Sequence, residues 1–303
     1  MKTNKSLGFI GTGAMGAPMA ERLIASGYQV SVYDPNPLAL KPLVALGARA
    51  ATSARDAATG VSTVFACLPS PQVSREVALG ETGIGKSLPD LKIYIEASTI
   101  GTSTVKEIAK GLKQQGIALL DAPVSGGPRG ARAGTLATMV AGDRAIYEQS
   151  LHIFETIAKK VFYVGADPGL AQMTKLANNM ISAAGMAAAS EAIILAVKAG
   201  VDPTTLVDAI NSSTGRNTAT SDKFPQSVLT RSFNYGGKFS TMYKDVRLCL
   251  DEARALDVPM WVGSSVVQLW FQGMLEGRGD DDYTTITKMI EEWTGVTVDG
   301  RSS

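Results

Sequence analysis

Apolar and polar positions follow two different patterns along this chain. Between residues 7 and 164, short apolar runs alternate with amphipathic segments that have the 3.6-residue period of a helix. The runs are LGFIG, QVSVYD, STVFACLP, KIYIEAS, IALLDAPV, TLATMVAG and KVFYVG. Helix-start signals such as Pro37 and Thr102–Ser103 lie between several of them. This alternation predicts crossover units and a largely parallel, doubly wound α/β sheet.

After about residue 166 the strand pattern stops. A long, nearly apolar helical run comes first, and four further helical segments follow it: DPTTLVDAINSS, TMYKDVRLCLDEARAL, PMWVGSSVVQLWFQGMLEG and DYTTITKMIEEW. We therefore predict two domains, 1–166 built on the sheet and 167–303 all-helical, with the long helix joining them.

The long helix carries one polar spot. Lys175, Asn178 and Asn179 have the i, i+3, i+4 spacing that places side chains on one helix face, although the surrounding residues are mostly Ala, Met, Ile and Leu. A buried lysine is costly, so the spot needs a reason. A snorkelling lysine with two capping amides and a functional site both explain this segment, and the segment alone does not decide between them.

Bulk composition narrows the possible functions. The chain has 29 basic and 28 acidic residues, which gives no reason to expect nucleic-acid binding. Cys67 and Cys249 are far apart in apolar stretches, as expected of reduced core thiols. The sequence contains no uninterrupted apolar run of 18 residues, so we predict no membrane-spanning helix. The glycines within residues 1–20 argue against a signal peptide there. We expect a cytoplasmic protein.

The titratable residues leave lysine as a leading acid–base candidate. His152 is the one histidine in the sequence and lies in a surface-helix pattern, so a catalytic zinc built from His and Cys lacks ligands. We therefore expect no metal site. None of the eight tyrosines has a lysine four residues later, which excludes the Tyr–Lys pair of short-chain dehydrogenases.

A glycine motif follows the first predicted strand. Gly11, Gly13 and Gly16 form GxGxxG between the strand LGFI and a helix, which is the context that the dinucleotide-binding fingerprint requires. These glycines allow a tight turn, close backbone approach to a pyrophosphate, and close helix–strand packing. Asp34 ends the second strand and can accept hydrogen bonds from ribose hydroxyls. The combination predicts a Rossmann-type domain that binds NAD.

A second glycine segment follows the strand IALLDAPV. Ser125, Gly126 and Gly127 precede Pro128, a residue that suits the first turn of a helix. Free backbone N–H groups and the serine hydroxyl can bind a carboxylate there. An ordinary strand-to-helix turn without a ligand explains the same residues.

Four blocks in this order resemble the β-hydroxyacid dehydrogenase family, which includes 3-hydroxyisobutyrate dehydrogenase and tartronate semialdehyde reductase. They are GFIGTGAMGAPMAERL, DAPVSGGPRGARAGTL, GLAQMTKLANN and KDVRLCLDEA. The resemblance implies that Lys175 is the catalytic lysine and that Asn179 orients the substrate. It also implies that Ser125, Gly126 and Gly127 hold the substrate carboxylate and that Lys244 reaches both the substrate and the nicotinamide. The cofactor residues that it implies are Gly11, Thr12, Gly13, Ala14, Met15, Gly16, Asp34, Leu68, Pro69, Thr99 and Lys244.

The implied activity is an NAD-dependent interconversion of a short 3-hydroxy acid and its semialdehyde or oxo acid. The implied substrate is 3-hydroxyisobutyrate-like, Lys175 acts as general acid and base, and the protein is a homodimer or homotetramer. Alternative substrates are 2-(hydroxymethyl)glutarate, tartronate semialdehyde and sulfolactaldehyde, and a catalytically silent dinucleotide sensor is the alternative from another class. Arg129, Arg132 and Arg216 are candidates for binding a second anionic group, although solvated arginines on helix surfaces are the better explanation for each.

The chain departs from the family pattern near the cofactor. Glu96 stands where the family usually has Asp, and TIGT lacks the usual proline after STI. These differences bear on the identity of the substrate more than on the chemistry.

Overall fold

The structure is a computed structural model that describes residues 5–85 and 88–301. The chain divides into two compact units, Met1–Lys175 and Leu176–Ser303. The first four residues of the signal-like N-terminal stretch, and the outermost residues of both predicted domains, lie outside the described residues. The predicted domain boundary at 166/167 stays a prediction.

The first unit contains a twisted sheet with the strand order β3-β2-β1-β4-β5-β6-β8-β7, and β9 pairs with β8. In the part of the chain that the structure describes, the strands are β1 Ser6–Ile10, β2 Gln29–Tyr33, β3 Arg49–Ala50, β4 Thr63–Ala66, β5 Ile93–Glu96, β6 Ala118–Asp121, β7 Val124–Ser125, β8 Leu136–Ala141 and β9 Ala158–Gly165. Strands β1 to β6 pair in parallel, and β1 lies between β2 and β4.

The predicted α/β class and all seven predicted strands are confirmed, but the sheet is mixed. Strand β8 runs antiparallel to β6 and β7 and parallel to β9. Strands β3 and β7 have two residues each, too few for a period of two to be recognised in the sequence.

Helices cover both faces of the sheet, as the doubly wound fold requires. They are α1 Gly16–Ala25, α2 Pro37–Ala45, α3 Ala54–Ala57, α4 Pro71–Leu79, α5 Thr102–Lys113, α6 Gly127–Ala133 and α7 Arg144–Ile157. Pro37 begins α2 as predicted, and the Asn36 side chain caps that helix by accepting from the Leu38 N–H. Phe65 and its strand neighbour Val64 point into separate apolar clusters, because successive side chains of a strand alternate between faces.

The helical part of the chain begins with α8, which starts in the first unit and continues into the second. The elements are α8 Leu170–Lys198, α9 Pro203–Asn211, a π-helix Ala219–Val228, α10 Phe239–Ala255, α11 Trp261–Leu275, two 3₁₀ turns at Arg278–Asp280 and Tyr283–Thr285, and α12 Ile286–Thr294. Every helical segment predicted from the sequence is present. The π-helix was not predicted, and Pro225 within it explains why, because proline normally signals a helix end.

Among the described residues, α8 is long and apolar enough to span a membrane by length and composition alone. One face of the helix lies in the helical unit's core, where Leu176, Met186 and Ile193 are completely buried. We conclude that α8 is a core helix of that unit.

Candidate functional site

The glycine loop after β1 has one open position between two closed ones. A Cβ atom on Gly11, where φ is +89°, would lie 2.2 Å from the Cys67 carbonyl oxygen, and one on Gly16 would lie 1.9 Å from the Gly11 carbonyl oxygen. A Cβ atom on Gly13 would have no neighbour within 4 Å. Gly11 and Gly16 are therefore required for packing, whereas Gly13 borders free space that a pyrophosphate could approach.

Asp34 fixes this loop against the end of β2. Its Oδ2 accepts a 2.8 Å hydrogen bond from the Thr12 N–H, and its Oδ1 accepts one of 2.9 Å from the Asn36 N–H. Among the described residues, the buried Thr12 hydroxyl has no hydrogen-bond partner and α1 has no side-chain cap. An orphaned hydroxyl and uncapped N–H groups beside an open glycine fit a bound dinucleotide. Ala14 and Met15 complete the loop, and Ala14 is exposed.

Leu68, Pro69 and Thr99 lie in the loops that follow β4 and β5. Strand β4 adjoins β1 and β5 adjoins β4, and the Cys67 N–H donates to the Ile10 carbonyl at 2.9 Å. The Leu68 N–H donates to Ser98 Oγ at 2.6 Å, which ties the two loops together. The structure thus gathers these residues with the glycine loop at the carboxyl edge of the sheet, where the strand order reverses and such folds bind ligands.

Glu96 supports the same edge from below. It is completely buried, its Oε1 accepts from the Ser98 N–H at 2.9 Å, and its Oε2 accepts from the Tyr94 hydroxyl at 3.2 Å. Burial raises the pKa of Glu96 to about 7. The departure from the family's Asp therefore lies two hydrogen bonds away from Leu68, where it supports the loop after β4 through Ser98.

The Ser125–Gly127 segment forms a sharp turn out of β7. Gly126 and Gly127 have φ values of +128° and +63°, both in the region that favours glycine, and both are exposed. Helix α6 begins at Gly127 without a side-chain cap, and Pro128 lies in its first turn. Four strands separate β7 from β1 in the sheet, so Ser125 is not adjacent to the glycine loop.

A buried amide–carboxylate pair, not anticipated from the sequence, fixes the start of α8. Gln172 Nε2 donates to Asp121 Oδ1 at 2.7 Å, and Gln172 Oε1 accepts from the N–H groups of Ile100 and Gly101 at 2.8 and 3.1 Å. Asp121 Oδ2 accepts from the N–H groups of Gly169 and Gln172. Burial raises the pKa of Asp121 to about 6. The pair anchors the helix one turn before Lys175.

Lys175 and Asn179 lie on one face of α8, and each side chain is 8% exposed. Asn179 Nδ2 donates to Asp245 Oδ2 at 2.6 Å, and Asn179 Oδ1 accepts from Asn178 Nδ2 at 3.0 Å. Lys244 Nζ lies 2.9 Å from Asp245 Oδ1, an ion pair without hydrogen-bond geometry. Asp245 thus links two predicted site residues, Asn179 and Lys244, from helices α8 and α10.

Sequence reasoning missed Asp121, Gln172 and Asp245. A signal existed for Asp245, which directly follows Lys244 in the KD pair, and for Gln172, a lone polar residue one turn before Lys175. Asp121 gave a weaker signal, because a strand-ending Asp is common in turns.

Comparisons with known proteins agree with this architecture. Residues 6–165 match a family described as the NAD binding domain of 6-phosphogluconate dehydrogenase. Residues 169–290 match a family described as NAD-binding of NADP-dependent 3-hydroxyisobutyrate dehydrogenase.

Individual relatives match over nearly their whole length. The chain is 32% identical to 2-(hydroxymethyl)glutarate dehydrogenase of Eubacterium barkeri over 300 residues, covering 99% of both chains. It is 34% identical to 3-hydroxyisobutyrate dehydrogenase of Pseudomonas aeruginosa, covering 93% of this chain and 97% of that one. A solved structure of the Mycobacterium tuberculosis 3-hydroxyisobutyrate dehydrogenase with L-serine has a TM-score of 0.85 at 30% identity, covering 94% of this chain and 98% of that one.

Proposed function

Because this chain belongs to the β-hydroxyacid dehydrogenase family and is an NAD-dependent oxidoreductase of small hydroxy acids, we propose that Lys175 is its general acid and base. The observation that supports this role most directly is the burial of Lys175 on α8, in a helix that Gln172 anchors one turn earlier and that carries Asn179 one turn later. A buried lysine is costly, and proton transfer is a reason to retain it.

The glycine loop and Asp34 are the proposed contacts for NAD. When bound, the nicotinamide supplies the hydride acceptor for oxidation and the hydride donor for reduction. The N–H groups at the start of α1 would bind the phosphates, and Asp34 would accept hydrogen bonds from the ribose hydroxyls. Leu68, Pro69, Thr99 and Lys244 are proposed to complete the cofactor site.

Lys175 accepts and donates the proton of the substrate hydroxyl. In oxidation its neutral amine accepts the hydroxyl proton, and in reduction its ammonium returns a proton to the carbonyl oxygen. Asn179 orients the hydroxyl without adding charge. Its own amide is held at one end by Asp245 and at the other by Asn178, so its rotamer is fixed in advance.

Ser125, Gly126 and Gly127 are proposed to bind the substrate carboxylate. The two glycines leave their N–H groups exposed at the uncapped start of α6, and the Ser125 hydroxyl adds a donor beside them. A carboxylate accepts such bonds at both oxygens, which would place the carbon that bears the hydroxyl group in a fixed position.

The proposed substrate is a 3-hydroxyisobutyrate-like acid. Three relatives are named for 2-(hydroxymethyl)glutarate, 3-hydroxyisobutyrate and 2-hydroxy-3-oxopropionate. These three compounds share one unit, a carboxylate two carbons from the reacting carbon. The deciding experiment incubates the protein with NAD⁺ and a panel of short 3-hydroxy acids and follows NADH absorbance. Turnover of at least one panel member supports the proposal, and no turnover of any member, with NAD bound, would favour the dinucleotide sensor.

We also propose that the protein is a cytoplasmic homodimer or homotetramer. The side of α8 away from the core leaves Ile181 and Leu195 more than 70% exposed, and Trp261 and Val262 at the start of α11 are also largely exposed. A second copy of the chain would cover these apolar side chains. Sedimentation of Leu195→Glu should show a smaller species than the wild type, whereas Leu38→Glu, at an exposed site in the other unit, should not change the mass.

A further inference from the structure

A second lysine lies beneath the surface of the helical unit. Lys223, in the π-helix, is 3% exposed, and its ammonium donates to Ser182 Oγ at 2.8 Å and to Thr218 Oγ1 at 3.0 Å. Both partners are neutral hydroxyls. Within residues 5–85 and 88–301 no carboxylate forms an ion pair with it. Buried ammonium groups are normally paired, so this one lacks its usual counter-ion.

The surroundings of Lys223 do not neutralise it. Asp222, its neighbour in the chain, attracts the ammonium by less than burial destabilises it, and the Tyr283 ring lies 5.7 Å from the ammonium. Burial lowers the pKa of Lys223 to about 8, so the side chain remains mostly charged at neutral pH. An ammonium has three donors, and two of them are used.

Helix α8 connects this lysine to the proposed catalytic residues. Ser182 follows Asn179 by three residues and Lys175 by seven, so all three share one helix face. At 1.5 Å per residue, Ser182 lies about 4.5 Å along the axis from Asn179 and about 10 Å from Lys175. Ser182 is partly exposed and Thr218 is exposed, so the ammonium is close to solvent at this end.

The π-helix gives Lys223 a fixed backbone. Pro225 has no N–H and would break the ordinary i→i−4 pattern, and the Leu229 N–H instead donates to the Phe224 carbonyl, five residues earlier, at 2.9 Å. Phe224 and Val228 are completely buried on either side of the proline. The lysine therefore lies on a rigid element and not on a mobile loop.

We propose that Lys223, held by Ser182 and Thr218, binds a second carboxylate when the substrate carries one, so that among 3-hydroxyisobutyrate-like acids the enzyme prefers those with two carboxylates. This inference rests on the proposed function, because it places the second anion on the same face of α8 as the proposed acid–base group. The residue acts on substrate selection and leaves the proton transfer at Lys175 unchanged. It is a different candidate from Arg129, Arg132 and Arg216, which are exposed.

The test compares two ligands that differ in one carboxylate, glutarate and butyrate, with enzyme saturated with NAD⁺. Titration calorimetry of the wild type should give tighter binding of glutarate. Lys223→Met should weaken glutarate binding at least tenfold and change butyrate binding less than threefold. Equal losses for both ligands, or no loss for either, would overturn the inference. If the wild type binds both ligands but oxidises no 3-hydroxy acid, the proposed function fails and the dicarboxylate subsite is judged on binding alone.

Two further variants separate recognition from folding. Thr218→Val removes one of the two hydroxyls that hold the ammonium while the lysine stays, and it should weaken glutarate binding severalfold without affecting butyrate. Lys198→Met removes an exposed lysine from the far end of α8 and should leave both affinities unchanged. Loss of glutarate selectivity in Lys198→Met would show a general charge effect and refute the role of Lys223. If Lys223→Met does not fold, as judged by circular dichroism, Thr218→Val decides the question.

Discussion

The glycine loop after β1 offers backbone groups to a ligand, whereas the polar face of α8 offers side chains. The loop consists of backbone N–H groups made accessible by the absence of side chains, and Gly13 has nothing within 4 Å of a hypothetical Cβ. The face of α8 consists of side chains held by partners from distant parts of the chain, such as Asp245, which is 66 residues from Asn179. The first device depends on local geometry and the second on tertiary packing, and the two should therefore respond differently to mutation.

The largest effect should come from the α8 face. Lys175→Ala should lower kcat by about 10²–10⁴-fold, because that is the usual contribution of a general acid–base group. Lys175→Arg should be similarly impaired, since a guanidinium stays protonated and cannot accept the proton. Steady-state kinetics measure both, and fluorescence titration of NADH should show unchanged binding to the glycine loop. Near-normal turnover in either variant would remove Lys175 from the mechanism.

The next effect is the pH dependence of the free energy of unfolding that the buried Glu96 causes. The pKa of Glu96 is about 7 in the folded protein and 4.5 ordinarily, so between these pH values the folded state holds more protons than the unfolded state. The free energy of unfolding should therefore fall as the pH rises from about 4.5 to 7, by about 3 kcal/mol from this group. Urea denaturation at several pH values measures the slope. Asp121 shifts in the same direction and adds to it.

Glu96→Gln is the matched variant for that slope. A glutamine keeps the Oε1 acceptor for the Ser98 N–H and cannot titrate, so the remaining pH dependence should be the smaller part that Asp121 contributes. An unchanged slope in this variant would show that Glu96 ionises normally in the folded protein.

The preference for NAD over NADP tests the role of Asp34, at the end of β2. Asp34 would repel a 2′-phosphate, and the following Pro35, Asn36 and Pro37 offer no cation to neutralise it. Repulsion and lost hydrogen bonds of about 2–3 kcal/mol would give roughly thirty- to two-hundred-fold preference for NAD over NADP in kcat/KM. Asp34→Asn combined with Asn36→Arg should narrow or reverse the preference. Equal kcat/KM values for the two cofactors in the wild type would contradict this assignment.

The smallest effect is a difference in stability between alanine variants of Gly16 and Gly13. Gly16→Ala should lower the free energy of unfolding by about 1–3 kcal/mol, because its Cβ would meet backbone that must shift. Gly13→Ala should leave the melting temperature nearly unchanged and weaken NAD binding, since its Cβ enters only open space, which we propose that the cofactor occupies. Calorimetric melting and NAD titration of the two variants provide the measurement. Similar melting losses in both would mean that Gly13, too, serves packing.

The same contrast explains how much the sequence could predict. The strands, the long helices and the glycine loop follow from local periodicity and from short motifs whose parts are adjacent, so their residues identify one another. Asp245, Gln172 and Lys223 lie in ordinary-looking segments, and their importance depends on partners 41 to 74 residues away. The π-helix was also unpredictable, because Pro225 locally favours a helix end, whereas the burial of Phe224 and Val228 depends on distant parts of the chain.

The Asp121–Gln172 pair has a consequence for the motions of the sheet unit. Its oxygens accept the N–H groups of Ile100, Gly101, Gly169 and Gln172, which come from two separate stretches of chain. Each of these amides is protected from hydrogen–deuterium exchange while its acceptor oxygen is in place, and all four lose their acceptors when both side chains move away from the backbone. They therefore form one cooperative opening unit, and their exchange rates measure the free energy of releasing the base of α8.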